Sequence, residues 1–242
     1  MQAGSALVVG AGAEAGLGAQ LAHRFAKEGF RVIVAGRTAA RLKTIAAAIR
    51  EAGGQAEPKV ADATREKDVI ALFDKAVARG DLELAVYNVG NNAAVPLLDL
   101  TAADFETFWR QNALGGFLVG REAVRRMLPK AKGTILFTRA TASLRARPPF
   151  TGFASAKAAL RAVAQGLARV FGPQGIHVAH VIIDGVIDGS YAREKFADFV
   201  RAKGEDGLID PAAIAEVFLS LHRQPRSAWT HELDLRPFKE TF

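Results

Sequence analysis

The feature that most constrains the fold is a glycine-rich turn between the first apolar run and the first amphipathic segment. Four glycines fall within residues 10–18, directly after the apolar run Ala6–Val9. Glycine permits a tight turn and lets backbone N–H groups approach a pyrophosphate closely. A helix that begins at the turn adds a favourable partial positive charge. A strand, a glycine turn and a helix in this order predict a dinucleotide-binding crossover, whereas a flexible linker would lack these flanks.

Apolar runs and amphipathic segments alternate along the rest of the chain. In the first amphipathic segment, Leu17, Leu21 and Phe25 recur at helical spacing. The predicted strands are Ala6–Val9, Arg31–Ala35, Gln55–Ala61, Leu84–Asn88, Gly133–Thr138, Ile176–Ile183 and Trp229–Leu235. The predicted helices are Gly16–Glu28, Arg41–Arg50, Val69–Val77, Phe105–Met127, Gly152–Phe171, Tyr191–Ala202 and Pro211–His222.

Strands separated by helices indicate a parallel sheet that is covered on both faces. We therefore predict an α/β fold, a Rossmann-type doubly wound parallel sheet flanked by helices. Without an internal repeat or a linker, residues 1–242 are expected to form a single domain. The segment 188–210 lacks a clear core face in places, and we predict that it is a flap over the substrate.

Composition narrows the classes of partner. The formal net charge is +7, but Lys and Arg are spread along the predicted helices, so we expect a solvated basic surface and no nucleic-acid partner. The chain has no cysteine, which excludes disulfides and thiolate metal sites and suits the cytoplasm. We predict no metal site, because His177 and His180 point to opposite faces of one strand. No apolar run approaches the ~20 residues of a membrane span, and no membrane association is expected.

Several short motifs in chain order resemble the short-chain dehydrogenase/reductase family. They are a Gly-x-x-x-Gly-x-Gly turn, an acidic residue after the third strand, an Asn-x-Gly after the fourth, an asparagine in the long helix and a lysine in the next helix. The matching residues are Gly12, Gly16, Gly18, Asp62, Asn88, Gly90, Asn112 and Lys157. The resemblance spans nearly the whole chain and implies a nicotinamide-dependent oxidoreductase, usually a homodimer or homotetramer formed through the two long helices.

The end of the second strand bears on the choice of cofactor. An NAD-selective site usually has a carboxylate there for the ribose 2′-OH, whereas this chain has Gly36-Arg37. Arg37 could form charge-assisted hydrogen bonds to a 2′-phosphate, so we prefer NADP(H) and keep NAD(H) as possible. Glu14, in the glycine turn, counts against this preference. The predicted cofactor-binding residues are Gly10, Gly12, Gly16, Leu17, Gly18, Arg37, Asp62, Ala63, Asn88, Gly90, Lys157, Gly185 and Val186.

The catalytic set that the resemblance implies is incomplete. The family's Tyr-x-x-x-Lys motif corresponds to Phe153 through Lys157, and Ala140 falls at the serine position. In the family, tyrosine exchanges the substrate proton, lysine binds the ribose and lowers the tyrosine pKa, and asparagine holds a water in the proton relay. Phe153 cannot exchange a proton, a function typically worth ~100- to 10,000-fold in rate.

Neighbouring polar residues are candidates for the missing groups. Thr141 and Ser143 could replace the serine hydroxyl, although both could be turn residues. Asp184 follows the sixth strand, where ligands bind in open α/β sheets, and could donate the proton if burial raised its pKa. As part of an Asp-Gly pair it could equally form a turn. Tyr191 in the predicted flap is a further candidate, or a packing residue. The predicted catalytic set is Lys157, Asn112, Thr141, Ser143 and Asp184.

Two functions remain open at this point. The first is an oxidoreductase that transfers hydride to or from a small organic substrate and uses a non-standard proton donor. Its substrate could carry a CH–OH or C=O group, or an activated C=C bond, which needs less help at an oxygen. The second is a dinucleotide-binding protein with little or no catalysis, such as a redox sensor or a silent partner.

Overall fold

The computed structural model describes residues 4–90 and 92–240, with Tyr191 described by its backbone alone. Seven parallel strands form one sheet in the order β3-β2-β1-β4-β5-β6-β7. The strands are β1 (Ser5–Val9), β2 (Arg31–Gly36), β3 (Gln55–Val60), β4 (Leu82–Tyr87), β5 (Gly133–Ala140), β6 (Ile176–Ile183) and β7 (Glu232–Leu235). The strand order reverses between β1 and β4: β2 and β3 lie on one side of β1, and β4 to β7 follow on its other side.

Helices connect consecutive strands and cover both faces of the sheet. They are α1 (Leu17–Lys27), α2 (Ala39–Glu51), α3 (Glu66–Val77), α4 (Ala102–Trp109), α5 (Gly115–Met127), α6 (Thr151–Phe171), α7 (Ser190–Lys195), α8 (Ala197–Lys203) and α9 (Pro211–His222). Alternate side chains of β1 enter opposite cores. Ala6 and Val8 pack with α1, α2 and α9, whereas Leu7 and Val9 pack with α3, α5 and α6. The predicted doubly wound parallel fold is confirmed.

Several predicted elements differ in their bounds from the structure, and for three of them the structure shows the reason. The helix expected over Phe105–Met127 begins earlier, at Ala102, because the Thr101 hydroxyl accepts a hydrogen bond from the Asp104 N–H at 3.1 Å. It is also interrupted by a π-helical turn at Arg110–Leu114.

The helix expected over Tyr191–Ala202 is two helices, because Phe196 leaves helical geometry with φ of −134° and ψ of 42°. The strand expected from Trp229 begins at Glu232, because the two residues at its predicted start are hydrogen-bonded to Gln224 in the loop after α9. The Thr230 N–H donates to the Gln224 side chain at 2.7 Å, and the Trp229 indole N–H donates to the Gln224 carbonyl at 3.3 Å.

The segment predicted as a flap is pinned at its base. Ile187 and Ile209 form an isolated parallel bridge, so the chain leaves and returns to the body at one point. Between them lie α7 and α8, and α8 buries none of its described side chains. Their position beyond the carboxyl end of β6 places them beside the edge where the candidate site residues lie.

Candidate active site

The glycine turn is held against the end of β4 by close backbone contacts. Gly10 has a φ of +104°, and a Cβ added there would lie 2.7 Å from the Asn88 carbonyl carbon. A Cβ on Gly18 would lie 2.6 Å from the Gly10 carbonyl oxygen. Since real Cβ atoms do not approach this closely, glycine is required at both positions. The Asn88 side-chain amide donates to the Gly10 carbonyl at 3.1 Å and ties β4 to the turn.

The same turn leaves open space where a phosphate would approach. A Cβ on Gly12 would meet no atom within 4 Å. Gly16 caps α1 without a side-chain hydrogen bond, so the first amides of the helix lack a side-chain cap. Leu17 buries its side chain in the core and can contribute only its backbone to a ligand. These residues therefore fit a dinucleotide pyrophosphate.

The predicted adenine end brings Asp62 and Arg37 close in space. Partial burial of Asp62 opposes ionisation, but hydrogen bonds from the Thr64 N–H and hydroxyl, together with Arg37, hold the pKa of Asp62 below its usual value. Arg37 itself is exposed at the end of β2, and Ala63 is buried next to Asp62. An exposed guanidinium at this position can reach a ligand phosphate without leaving a buried ion pair.

Lys157 lies at the centre of the predicted catalytic set. It is only 4% exposed, and its Nζ donates long hydrogen bonds of 3.4 Å to the carbonyls of Val89 and Thr138. A Cβ on Gly90 would lie 3.4 Å from Nζ, so Lys157 and the Asn-Val-Gly turn are in contact. Burial, and then the positive charge of Arg139, lower the pKa of Lys157 to about 7.

Phe153 occupies an apolar cluster rather than a polar cleft. Its ring is 6% exposed and packs with Phe108 and Ala156, with Ala140 and Ala142 against them. The residues expected at the tyrosine and serine positions of the family therefore share one hydrophobic surface. The Lys157 Nζ lies 5.6 Å from the centroid of the Phe153 ring, where a cation–π contact replaces any hydroxyl hydrogen bond.

Asn112 lies in the π-helical turn between α4 and α5. Its Nδ2 donates to the Phe108 carbonyl at 2.9 Å, while its buried Oδ1 has no hydrogen-bond partner among the described atoms. A buried oxygen of this kind normally has a protein or water donor. The π turn therefore positions an acceptor next to the apolar cluster that contains Phe153.

The other polar candidates are engaged with one another. The Thr141 hydroxyl donates to Asp184, whose second carboxylate oxygen lies 3.0 Å from Arg236 Nη2. Both carboxylate oxygens of Asp184 are therefore engaged by other side chains. The Ser143 hydroxyl donates to the Ala140 carbonyl at 2.7 Å, the geometry of a turn residue. The Tyr191 side chain lies outside the described part of the structure.

The two cofactor candidates after β6 differ in exposure. Gly185 has a φ of +156°, and a Cβ there would lie 2.8 Å from Pro237 Cδ, which explains glycine at this turn. Val186 is 37% exposed at the edge of the site.

A buried charged cluster next to the site was not predicted. Four side chains from β5, β6, α6 and β7 form it, and we name them the Arg139 cluster: Arg139, His180, Arg161 and Glu232. Arg139 donates to Nδ1 of His180, and Nε2 of His180 lies 2.8 Å from Glu232. Arg161 holds Glu232 through two hydrogen bonds of 2.8 and 2.6 Å. An arginine within the apolar run of β5 was the available signal, because a charge in a buried strand needs partners.

Two other kinds of site are absent from the residues that the structure describes. No group of three or more His, Cys, Asp or Glu side chains there could hold a metal ion. In residues 4–90 and 92–240, no helix has both the length and the apolar character needed to cross a membrane.

Fold and site define a class, the dinucleotide-binding oxidoreductases built on a doubly wound sheet. Comparison with known proteins narrows this class, because the sequence model described as "short chain dehydrogenase" matches residues 5–198. The chain therefore belongs to the short-chain dehydrogenase family, and the resemblance stated from the motifs is confirmed. The expectation of an NAD(P)-dependent oxidoreductase is confirmed at this level.

The matches to individual relatives cover most of this chain. Gluconate 5-dehydrogenase of Gluconobacter oxydans is 27% identical over 86% of this chain and 85% of its own length. A solved short-chain dehydrogenase from Rhodopseudomonas palustris is 40% identical, with a TM-score of 0.84 over 97% of this chain and 99% of that one. A gluconate 5-dehydrogenase from Burkholderia cenocepacia, solved with NADP and tartrate, has a TM-score of 0.85 over 98% and 95% of the two chains. At 23% identity, that likeness concerns the fold alone.

Proposed function

We propose that the protein transfers hydride between a nicotinamide dinucleotide and a small organic substrate, with a proton donor other than tyrosine. The observation that carries the proposal is the position of Lys157. Its buried Nζ contacts Gly90 and the Val89 carbonyl, directly beside the turn that Asn88 joins to Gly10. Burying an amine without a paired charge is costly to the fold, so its presence next to an open glycine cradle supports a role with a ligand.

The cofactor-holding residues follow from the same geometry. The Gly10–Gly18 turn and the α1 N-terminus would hold the pyrophosphate, Asp62 and Ala63 the adenine, and Lys157 the nicotinamide ribose. When bound, the nicotinamide would supply or accept hydride. Arg37 is exposed at the end of β2, where the chain has no Asp or Glu, and this supports a preference for NADP(H) over NAD(H).

The substrate class follows from the apolar cluster. The apolar cluster offers no hydroxyl to a substrate oxygen, since its side chains include Phe153, Phe108, Ala140 and Ala142. The nearby hydroxyl of Thr141 is already bound to Asp184. Reduction of an activated C=C bond or an imine demands less hydrogen bonding at oxygen than reduction of a ketone. We therefore rank these substrates above simple ketones and propose that α7 and α8 form a flap over them.

The first test is a fluorescence titration with NADPH and NADH in parallel at fixed salt. Tight binding of NADPH and weak binding of NADH support Arg37 as a phosphate ligand, whereas binding of neither overturns the proposal. A panel of enones, imines, ketones and alcohols then follows with the wild type and Phe153→Tyr. We expect Phe153→Tyr to raise ketone reduction. If it binds cofactor yet leaves ketone turnover unchanged, the missing hydroxyl does not limit the site.

One observation favours the alternative, a dinucleotide-binding protein without catalysis. The residues at the tyrosine and serine positions are both apolar and pack together, as expected of a site that no longer handles a substrate oxygen. This alternative predicts tight dinucleotide binding and no turnover across the panel. Robust turnover that Lys157→Ala abolishes would exclude it.

We also propose that the protein is a homodimer or homotetramer formed through α4–α5 and α6. Three large apolar side chains on α4 and α5, Phe105, Trp109 and Phe117, are each more than 40% exposed in the single chain. Light scattering coupled to size exclusion tests this, with Phe117→Glu expected to shift the protein toward smaller species. We retain the cytoplasm as the proposed location because the cysteine-free chain suits a reducing compartment.

A further inference from the structure

The surroundings of the Lys157 amine differ from those of a permanently charged lysine. Among the described residues, no carboxylate lies within the 4.0 Å ion-pair distance of its Nζ. Its hydrogen-bond acceptors are two backbone carbonyls at 3.4 Å. The neighbouring ring of Phe153, whose centroid lies 5.6 Å from Nζ, has no hydroxyl. A buried ammonium with so little compensation is driven toward its neutral form.

The Arg139 cluster adds a fixed positive charge on the same side of the sheet. Arg139 directly follows Thr138, whose carbonyl accepts a hydrogen bond from Lys157. Its guanidinium lies 3.5 Å from the Glu232 carboxylate that Arg161 also binds. Arg161 is one helical turn after Lys157 on α6, so the Arg139 head group lies on the α6 side of the sheet.

The carboxylate of Glu232 does not offset this charge at Lys157. It is shared among Arg161 at 2.6 Å, His180 at 2.8 Å and Arg139 at 3.5 Å. Burial, and then Arg139, lower the pKa of His180 to about 2, so its ring is neutral and its Nδ1 accepts from Arg139. Two arginines and one carboxylate therefore leave the cluster with a net positive charge.

We propose that Lys157 Nζ is itself the group that exchanges the proton with the substrate, and that Arg139 is the positioning residue that keeps this amine able to do so. This inference rests on the proposed oxidoreductase function. In the reductive direction, a bound reduced nicotinamide would supply hydride to one atom of the substrate π bond, and the electron pair of that bond would take a proton from the Lys157 ammonium. Lys157 is left as a neutral amine and regains a proton from solvent. In the oxidative direction, the neutral amine would accept the proton of the substrate, and the oxidised nicotinamide would accept the hydride.

The charges around Lys157 suit this role near neutral pH. A general acid or base works best when its pKa lies near the operating pH, and that of Lys157 lies at about 7. Arg139, whose burial lowers its pKa only to about 10, stays charged in this range. From β6 the facing group is neutral His180, and from β7 it is Glu232. Asp184, after β6, is bound by Thr141 and Arg236.

The first experiment measures the protonation of Lys157 directly in the cofactor-free protein. Lysine labelled with ¹³C at Cε is followed by NMR as a function of pH, and the Lys157 resonance is assigned by its loss in Lys157→Met. We expect it to titrate near pH 7, apart from the lysines that titrate near the ordinary value of 10.5. A Lys157 resonance that titrates with the other lysines overturns the inference.

Charge variants in the cluster test the part assigned to Arg139. Arg139→Met should move the Lys157 titration to higher pH, and Glu232→Gln should move it to lower pH. Arg125→Met, at an exposed arginine of α5, is the matched control and should leave it in place. If Arg139→Met does not fold by circular dichroism, the downward shift in Glu232→Gln decides the question. No shift in any folded cluster variant overturns the role of Arg139.

A kinetic arm separates this inference from the proposed function. For a substrate from the panel, reductive kcat/KM should fall as pH rises through about 7, and oxidative kcat/KM should rise. Lys157→Arg should keep cofactor binding and lose turnover, because arginine does not give up its proton. Turnover retained in Lys157→Arg overturns the inference alone, whereas a wild-type protein without turnover on any substrate overturns both.

Discussion

Replacing Lys157 with methionine should stabilise the fold at neutral pH, and the gain should vanish as the pH rises. Lys157 has a pKa of about 7 in the folded protein, against an ordinary value of 10.5. The two pKa values differ by about 3.5, and each unit of pKa corresponds to about 1.36 kcal/mol. Keeping the buried amine protonated therefore costs the folded state about 5 kcal/mol below pH 7. Methionine removes that cost but deprives the Val89 and Thr138 carbonyls of a donor, at about 1 kcal/mol each. The variant should therefore be more stable by about 3 kcal/mol near pH 7.

The sign of the pH dependence follows from linkage. Because the folded pKa of Lys157 is lowered, the unfolded chain binds the proton more tightly, and wild-type stability rises with pH between about 7 and 10.5. Urea unfolding of wild type and Lys157→Met at about pH 7 and about pH 9, at one protein concentration, should show the gap closing by about 2 kcal/mol. Arg125→Met serves as the surface control. A gap that is the same at both pH values refutes a neutralised Lys157.

Three further variants test the site. Gly18→Ala should weaken NADPH binding by about tenfold or more in the fluorescence titration, because its Cβ would lie 2.6 Å from a backbone oxygen of the glycine turn. Arg37→Ala should raise the Kd for NADPH by about tenfold or more and leave that for NADH unchanged, while Arg41→Ala on α2 changes neither; equal effects on the two cofactors contradict a 2′-phosphate contact. Phe153→Tyr should lower the free energy of unfolding by about 1–2 kcal/mol by placing a hydroxyl in the apolar cluster, and adding Ala140→Ser should recover part of this loss; thermal melts of the single and double variants measure the coupling.

The fold was predictable because the local signals agree with one another. Apolar runs of strand length alternate with helices, and the glycine turn marks the first crossover, so the parallel sheet followed from pattern alone. The π turn around Asn112 was not predictable, because helical periodicity passes through Arg110–Leu114 without a break. The division of the predicted helix at Phe196 was not predictable for a similar reason, because neither glycine nor proline lies at that position.

The site was predictable only in part, because several of its contacts join distant positions. The glycine turn, Asn88 and Lys157 were found from motifs, and the structure brings them together. The pairing of Thr141 with Asp184 joins residues 43 positions apart, and Glu232 lies 93 positions from Arg139. Contacts between residues this far apart cannot be predicted from motif spacing or composition. These contacts set which polar groups are free and which are bound, and that information arises only from the packed structure.

The chemistry of the site depends on β7, which lies at one edge of the described sheet and pairs there with β6. Glu232 on β7 holds Arg139, and Arg236, just after it, holds Asp184. The glycine turn lies at the other end of the site, against the central strands β1 and β4. Fraying of β7 from the sheet edge would therefore release Arg139 and Asp184 while the glycine turn kept its contacts, so proton transfer would be lost before cofactor binding.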